Sequence, residues 1–256
     1  VPSLWNDIML RLDATTVHLQ RLSPSSGRGD GPASIVALHG DRPIDTIALL
    51  LKEQTRVKPL LRNRIHVAVG SPWAQAAVLP WQEGLFSDAA WKTYASALIA
   101  RSINRLDWEV AVEAANYGAT RLASALCSDL VGAIKEVCTA TGWRLETLSD
   151  MLTMSVFHHA ATLKEPEYCF MLVEPEVFTC LYRGQHGWRD LITLPRNEHG
   201  LDAWLAAGSL LTKQPLPEKT YVCGELPEIV DGESAFHVLD AWGGDRAAKK
   251  IQGAAT

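Results

Sequence analysis

Residues 8–22 read IMLRLDATTVHLQRL and residues 169–194 read CFMLVEPEVFTCLYRGQHGWRDLITL. Ile8 to Asp13 has the composition of a strand, Asp13 to Thr16 that of a turn, and Val17 to Leu22 alternates apolar and polar as a return strand. In the second stretch, Cys169 to Val173 reads as a strand and Glu174-Pro175-Glu176 as a turn. Val177 to Tyr182 is the return strand, Arg183 to Gly187 a second turn, and Trp188 to Leu194 a third strand. Each stretch is thus a β-hairpin with an acidic residue at its turn.

Both hairpins are followed by the same pattern. After the first, Ser23 to Pro32 (SPSSGRGDGP) is a loop by composition and Ala33 to His39 a third strand. A helix then starts at Asp41 and Pro43, with Ile44, Ile47, Leu50 and Leu51 on one face, and Ile65, Val67 and Val69 alternate as a strand. After the second, His199 to Leu211 reads as a helix, Tyr221 to Cys223 as a strand and Phe236 to Leu239 as another. The tail 243–256 reads as frayed or weakly helical. Two halves of strand–turn–strand–loop–strand–helix–strand imply a duplicated α/β architecture.

Further elements separate the halves. Ala74 to Leu79 reads as a strand closed by Pro80-Trp81. Ser87-Asp88 caps a helix whose inner face carries Trp91, Tyr94, Ala95, Leu98 and Ile99, and Trp108, Val110 and Val112 alternate as a strand. Leu122, Leu126, Leu130, Ile134 and Val137 recur at helical spacing, which predicts one long helix from Thr120 to Thr141 with Gly142 at its end. Trp143 to Leu148 reads as a short strand, and Ser149-Asp150 opens a helix reaching Leu163. The expected division is a first lobe, 1–164, with an inserted strand–helix–strand subdomain at about 72–115, and a second lobe, 165–256.

Composition excludes several classes. The chain has 256 residues, 47% of them hydrophobic, enough for one large core or two modest ones. A net charge of -5 offers no basic excess for a phosphate backbone, so no nucleic acid is expected as partner. No run approaches the roughly 20 apolar residues of a membrane span. The opening VPSLWNDIML lacks the basic flank and apolar run of a secretory leader. Cys127, Cys138, Cys169, Cys180 and Cys223 are odd in number and widely spaced, which reads as reduced thiols of a cytoplasmic protein without a zinc or other metal site.

Three stretches carry a resemblance to a known family. HVAVGSPWAQAAVLPWQEGLFSDAAWKTYASALIA (66–100) resembles a strand, a second strand ending Leu-Pro-Trp, and a helix. TRLASALCSDLVGAIKEVCTATGWRLETLSDML (120–152) resembles a long helix, a glycine and a strand-to-helix step. YCFMLVEPEVFTCLYRGQHGW (168–188) resembles a second-lobe hairpin with an acidic residue and a Gly-Trp turn. Together they are similar to a bacterial branch of the actin-like ATPase superfamily. That branch includes the type IV pilus assembly M protein and the cytoplasmic domain of the type II secretion L protein. The resemblance spans roughly Ile8 to Thr193. It implies an actin-like (ribonuclease H-like) two-lobed fold, with two β-β-β-α-β units facing a cleft. It also implies a cytoplasmic scaffold, peripheral to the inner membrane, binding protein partners of a secretion or pilus machine.

It further implies where a nucleotide would sit. In the superfamily, Asp-x-Gly-x-Thr hairpins bring backbone N–H groups to the phosphates, and glycine permits the close approach. Here the first hairpin reads Asp13-Ala14-Thr15-Thr16: it keeps Asp13 but places β-branched Thr15 at the glycine position, with Thr16 a further degenerate position of the site. The second has Glu174 at the acid position, Pro175 without an N–H donor, and Glu176 at the glycine position. A second carboxylate at about 4 Å from a phosphate charge costs about 4 kcal/mol at an effective dielectric of 20. The adenosine pocket's glycine pair is reduced to Gly224, followed by Glu225. These departures favour a pseudo-ATPase with no cofactor; Mg-ATP binding is the alternative.

Other constellations are weaker. His158-His159 point to different faces of a helix and cannot share one ion, so surface or helix-end histidines are expected. His18 is expected on an outward strand position despite its proximity to Asp13. Ser71 in Gly70-Ser71-Pro72 reads as turn chemistry rather than a nucleophile, and Gly27 to Gly31 as a loop rather than a phosphate cradle. Of the nine tryptophans, Trp91, Trp108 and Trp204 fall at core-like positions. Trp73 and Trp81 flank a strand pair and are candidate partner-binding residues, with lobe packing as their other role.

Overall fold

The computed structural model describes residues 6–22, 34–54, 56, 63–102, 107–226 and 236–240. The predicted loop at 23–32 and the tail at 243–256 lie outside the described residues.

In the first lobe, β1 (Asn6–Leu12), β2 (Thr16–Arg21), β3 (Ser34–Leu38), β4 (Asn63–Val69) and β8 (Arg144–Asp150) form one sheet. Its order is β3-β2-β1-β4-β8, antiparallel through β1 to β3 and parallel from β1 to β4 to β8. Alternation in β1 and β2 sends Ile8, Leu10, Leu12, Val17 and Leu19 to one face. There they pack with Ile47, Leu50 and Leu51 of α1 (Pro43–Glu53) and with Leu130, Val131 and Ile134 of α3 (Ser128–Ala140).

In the second lobe, β9 (Tyr168–Val173), β10 (Val177–Gly184), β11 (Gly187–Pro195), β12 (Thr220–Gly224) and β13 (Phe236–Val238) repeat that arrangement. The order β11-β10-β9-β12-β13 has the same sequence of antiparallel and parallel pairings. On one face α5 (Gly200–Thr212) lays Trp204 on Phe178, rings stacked at 5.2 Å.

The third sheet, β5 (Ala74–Leu79), β7 (Arg121–Cys127) and β6 (Trp108–Val112) in that order, carries α2 (Asp88–Ser102). Trp91, Ala95 and Ile99 of α2 pack on Leu79, Ala123 and Ala125. This unit runs past the expected boundary at residue 115, because the predicted helix 120–141 is two elements. Residues 121–127 are the central strand β7, paired on both edges, and only 128–140 are helical. Leu122 to Leu126 is buried on both faces, so the period-2 signal of a strand vanishes and Leu122 and Leu126 mimic one helical face. The helix predicted to reach Leu163 also ends early: α4 is Met151–His158.

The lobes share a core. Ala68, Leu122 and Leu152 of the first pack with Tyr168, Phe170, Leu172, Leu181 and Trp188 of the second. Polar contacts reinforce it: Trp188 Nε1 donates to Glu113 Oε2 at 2.8 Å, and Thr120 Oγ1 donates to the Trp188 carbonyl at 2.6 Å.

Candidate functional site

The two hairpin turns meet at a cavity of about 330 Å³ between the lobes. Asp13, Thr15 and Thr16 line it from one side, Glu174 and Pro175 from the other, and Gly224 closes the end. Five of the six predicted positions are thus brought together. Glu176 is not: it is exposed, and its carbonyl accepts the Arg196 N–H at 2.8 Å. The expected second negative charge in the cleft is absent because the Glu174–Val177 turn points that side chain to solvent.

The first turn is closed on itself. Asp13 Oδ1 accepts the backbone N–H groups of Thr15 and Thr16 at 2.9 and 2.8 Å, and Oδ2 accepts the Thr16 hydroxyl at 2.7 Å. The Thr15 hydroxyl adds a fourth bond at 3.2 Å. The carboxylate therefore occupies the turn N–H groups that an external anion would need. His18 is not outward, as expected, but in the cavity wall. Its Nε2 lies 3.7 Å from Asp13 Oδ2 and its Nδ1 3.4 Å from Arg11 Nη2. The β2 register that buries Val17 and Leu19 on the core side requires His18 on the cleft side.

The second turn sends its acid across the cleft. Glu174 Oε1 accepts the N–H of Ser71, in the first lobe, at 2.8 Å. Burial pushes this carboxyl up to about 7; the Ser71 bond opposes that, while the charges of Asp13 and Asp150 add to it. Its backbone is fixed as well: Glu174 N–H donates to the Val177 carbonyl, and Arg196 Nη1 donates to the Glu174 carbonyl at 2.9 Å.

Gly224 serves the backbone. Its φ is +114°, and a Cβ there would stand 2.0 Å from the Val173 carbonyl oxygen. It lets β12 end against β9, where Glu225 N–H bonds that same oxygen at 2.9 Å.

Cys223 also lines the cavity, its Sγ 3.9 Å from His159 Nε2. Burial pushes the thiol up to about 11 and the imidazole down, so the pair is no activated nucleophile and base. His159 is buried at the end of α4, bonded to the Asp240 carbonyl, while His158 is exposed. Trp73 is half-buried on the first-lobe core, 5.6 Å from His39, and Trp81 sits between Trp91 and Tyr117. Their packing role is visible; among the described residues the strongly exposed aromatics are Phe86, Tyr117 and Phe157.

Sequence reasoning passed over Gly70, Ser71 and Asp150, which complete the Glu174 environment. Gly70-Ser71-Pro72 was legible as a turn, but nothing local to it points to a carboxylate 103 residues away.

Two five-stranded sheets of equal order, with hairpin turns facing across a cleft, define the actin-like ATPase fold. Comparison with solved structures places the chain beside particular examples. The PilM-PilN type IV pilus biogenesis complex matches with a TM-score of 0.64 and 11% identity, over 93% of this chain and 89% of that one. The cytoplasmic domain of EpsL, an inner membrane component of the type II secretion system of Vibrio cholerae, matches at 0.55 and 12%, over 91% and 90%. A Bacteroides thetaiotaomicron protein with an actin-like ATPase fold and unknown function matches at 0.58 and 10%, over 91% and 90%. No protein-family model and no curated protein matches the sequence.

Proposed function

We propose that this chain is a non-catalytic actin-like scaffold that binds protein components of a bacterial secretion or type IV pilus machine at the cytoplasmic face of the inner membrane. The observation that carries the non-catalytic part is that both turn carboxylates are engaged by the protein's own N–H groups. Asp13 takes the turn N–H groups of the first hairpin, and Glu174 is committed to Ser71. The Thr15 and Thr16 N–H groups are thereby taken from any phosphate cradle in the first hairpin, and Pro175 contributes no N–H to one in the second. Among the described residues no group of three or more His, Cys, Asp or Glu is arranged to hold a metal ion, and no helix is long and apolar enough to cross a membrane. The machine-associated part is supported by the likeness to PilM in its complex with PilN and to the cytoplasmic domain of EpsL.

A nucleotide-binding switch of the same fold is the second reading. The cavity of about 330 Å³ favours it, being at the small end of the ~300–1,000 Å³ range of ligand sites. Calorimetric titration with Mg-ATP separates the two. The scaffold predicts no saturable heat; micromolar binding that disappears in Asp13→Ala establishes the switch instead. Co-purification with inner-membrane secretion or pilus components tests the assembly role.

A further inference from the structure

The Glu174 side chain crosses from one lobe into the backbone of the other. Its Oε1 lies so close to Gly70 that a Cβ there would stand 2.0 Å from it. Gly70 is itself anchored: its N–H donates to the Leu12 carbonyl at 2.7 Å, and its carbonyl accepts the N–H groups of Trp73 and Ala74. The carboxyl therefore enters a socket made by a glycine and the Ser71 N–H, with Glu174 itself also lining the cleft.

We propose that Glu174 is a proton-governed latch: protonated, it fastens the Gly70–Ser71 turn of the first lobe to the second-lobe hairpin, and ionised, it releases that turn and widens the cleft.

The surroundings give the direction. Asp13 faces Glu174 from the β1–β2 turn and Asp150 from the end of β8, and both oppose a third negative charge. Asp150 is held in place as the cap of α4, its Oδ1 accepting the Thr153 N–H at 2.8 Å. The cations nearby are engaged elsewhere. Arg11 and His18 contact each other on the β1–β2 wall, and Arg196, after β11, bonds the Glu174 carbonyl and the Glu225 carboxylate. Cys223 of β12 is held neutral by burial. Beside the latch is a cavity of about 30 Å³, lined by Ser71, Asp150, Glu174 and Thr179 and large enough for a water. A protonated carboxyl still accepts the Ser71 N–H through its carbonyl oxygen, so protonation removes the repulsion without removing the bond. The latched form thus binds up to one proton more than the released form only between the ordinary carboxylate value of about 4.5 and about 7, and raising the pH across that window weakens the latch.

The test is hydrogen exchange of the Ser71 amide in the whole chain, corrected for intrinsic rates, with 13C titration of the Glu174 carboxyl. Ser71 protection is expected to be level below about 4.5, to fall by about tenfold per pH unit from there to about 7, and then to level off again, as linkage requires for one proton. Glu174→Gln keeps the acceptor and cannot ionise, so Ser71 stays protected and the step vanishes. Gly70→Ala fills the socket; the step is lost and the Glu174 carboxyl titrates at an ordinary carboxylate value. A Ser71 amide whose protection ignores pH, or an equal step in Glu174→Gln, overturns the latch. Should Glu174→Gln not fold, Gly70→Ala and the wild-type carboxyl titration decide: an ordinary midpoint in the wild type rejects the proposal.

Discussion

Asp13 accepts four hydrogen bonds from the two residues that follow its neighbour Ala14, so its main work is to close its own turn. Asp13→Ala leaves two backbone donors to solvent and is expected to cost about 1–2 kcal/mol, the range of a lost cap. The denaturant midpoint should fall with the m-value unchanged. Asp13→Asn keeps one acceptor oxygen and should cost less. Gly224→Ala should be worse than either, because it combines a φ of +114° with a Cβ 2.0 Å from a carbonyl oxygen. At this scale the sequence placed Asp13, Glu174 and Gly224 at cleft positions. It did not show where the carboxylates point. That direction depends on which N–H groups lie within reach: for Asp13 they are two and three residues away, and for Glu174 the donor is on another lobe.

Elements were legible where one face is buried and one is wet. In β1 the alternation is unbroken and in β2 it holds from Thr16 to Leu19, and their register is correspondingly well specified. It failed at β7, where five consecutive residues are buried and the apolar spacing runs on into α3. The two elements are nevertheless distinct in packing. β7 contributes Ala123 and Ala125 to the α2 layer and Leu126 to the first-lobe core, while α3 puts Leu130, Val131, Ile134 and Cys138 into that core. Ile134 is fully buried there, so Ile134→Ala should destabilise the protein by about 2–5 kcal/mol, the spread reflecting how far the site collapses. Chemical denaturation of the two proteins checks it. A continuous helix through 120–141 would instead leave β5 and β6 without the strand that joins them.

For the whole molecule, the duplication read from the hairpins is the repeated sheet order, and the actin-like fold follows from it. The lobes are not independent bodies joined only by a latch. Phe170, Leu172, Leu181 and Trp188 share one cluster with Ala68, Leu122 and Leu152, and Glu113 and Thr120 bind Trp188 from the first-lobe side. An opening at Glu174 is therefore local to the cleft, and global unfolding should take both lobes together. Calorimetry is expected to give one transition, with calorimetric and van't Hoff enthalpies equal. Trp188→Ala removes the indole from the shared cluster and strips Glu113 of a donor. By analogy with other large aromatic truncations it should cost about 3–5 kcal/mol. Because the residue belongs to the seam rather than to either lobe's private core, its loss should also pull the enthalpies apart. The van't Hoff value should drop below the calorimetric one as the lobes begin to melt separately. A Trp188→Ala protein that melts in one transition with equal enthalpies would mean that cooperativity runs through another route, such as the packing of β5 against β11.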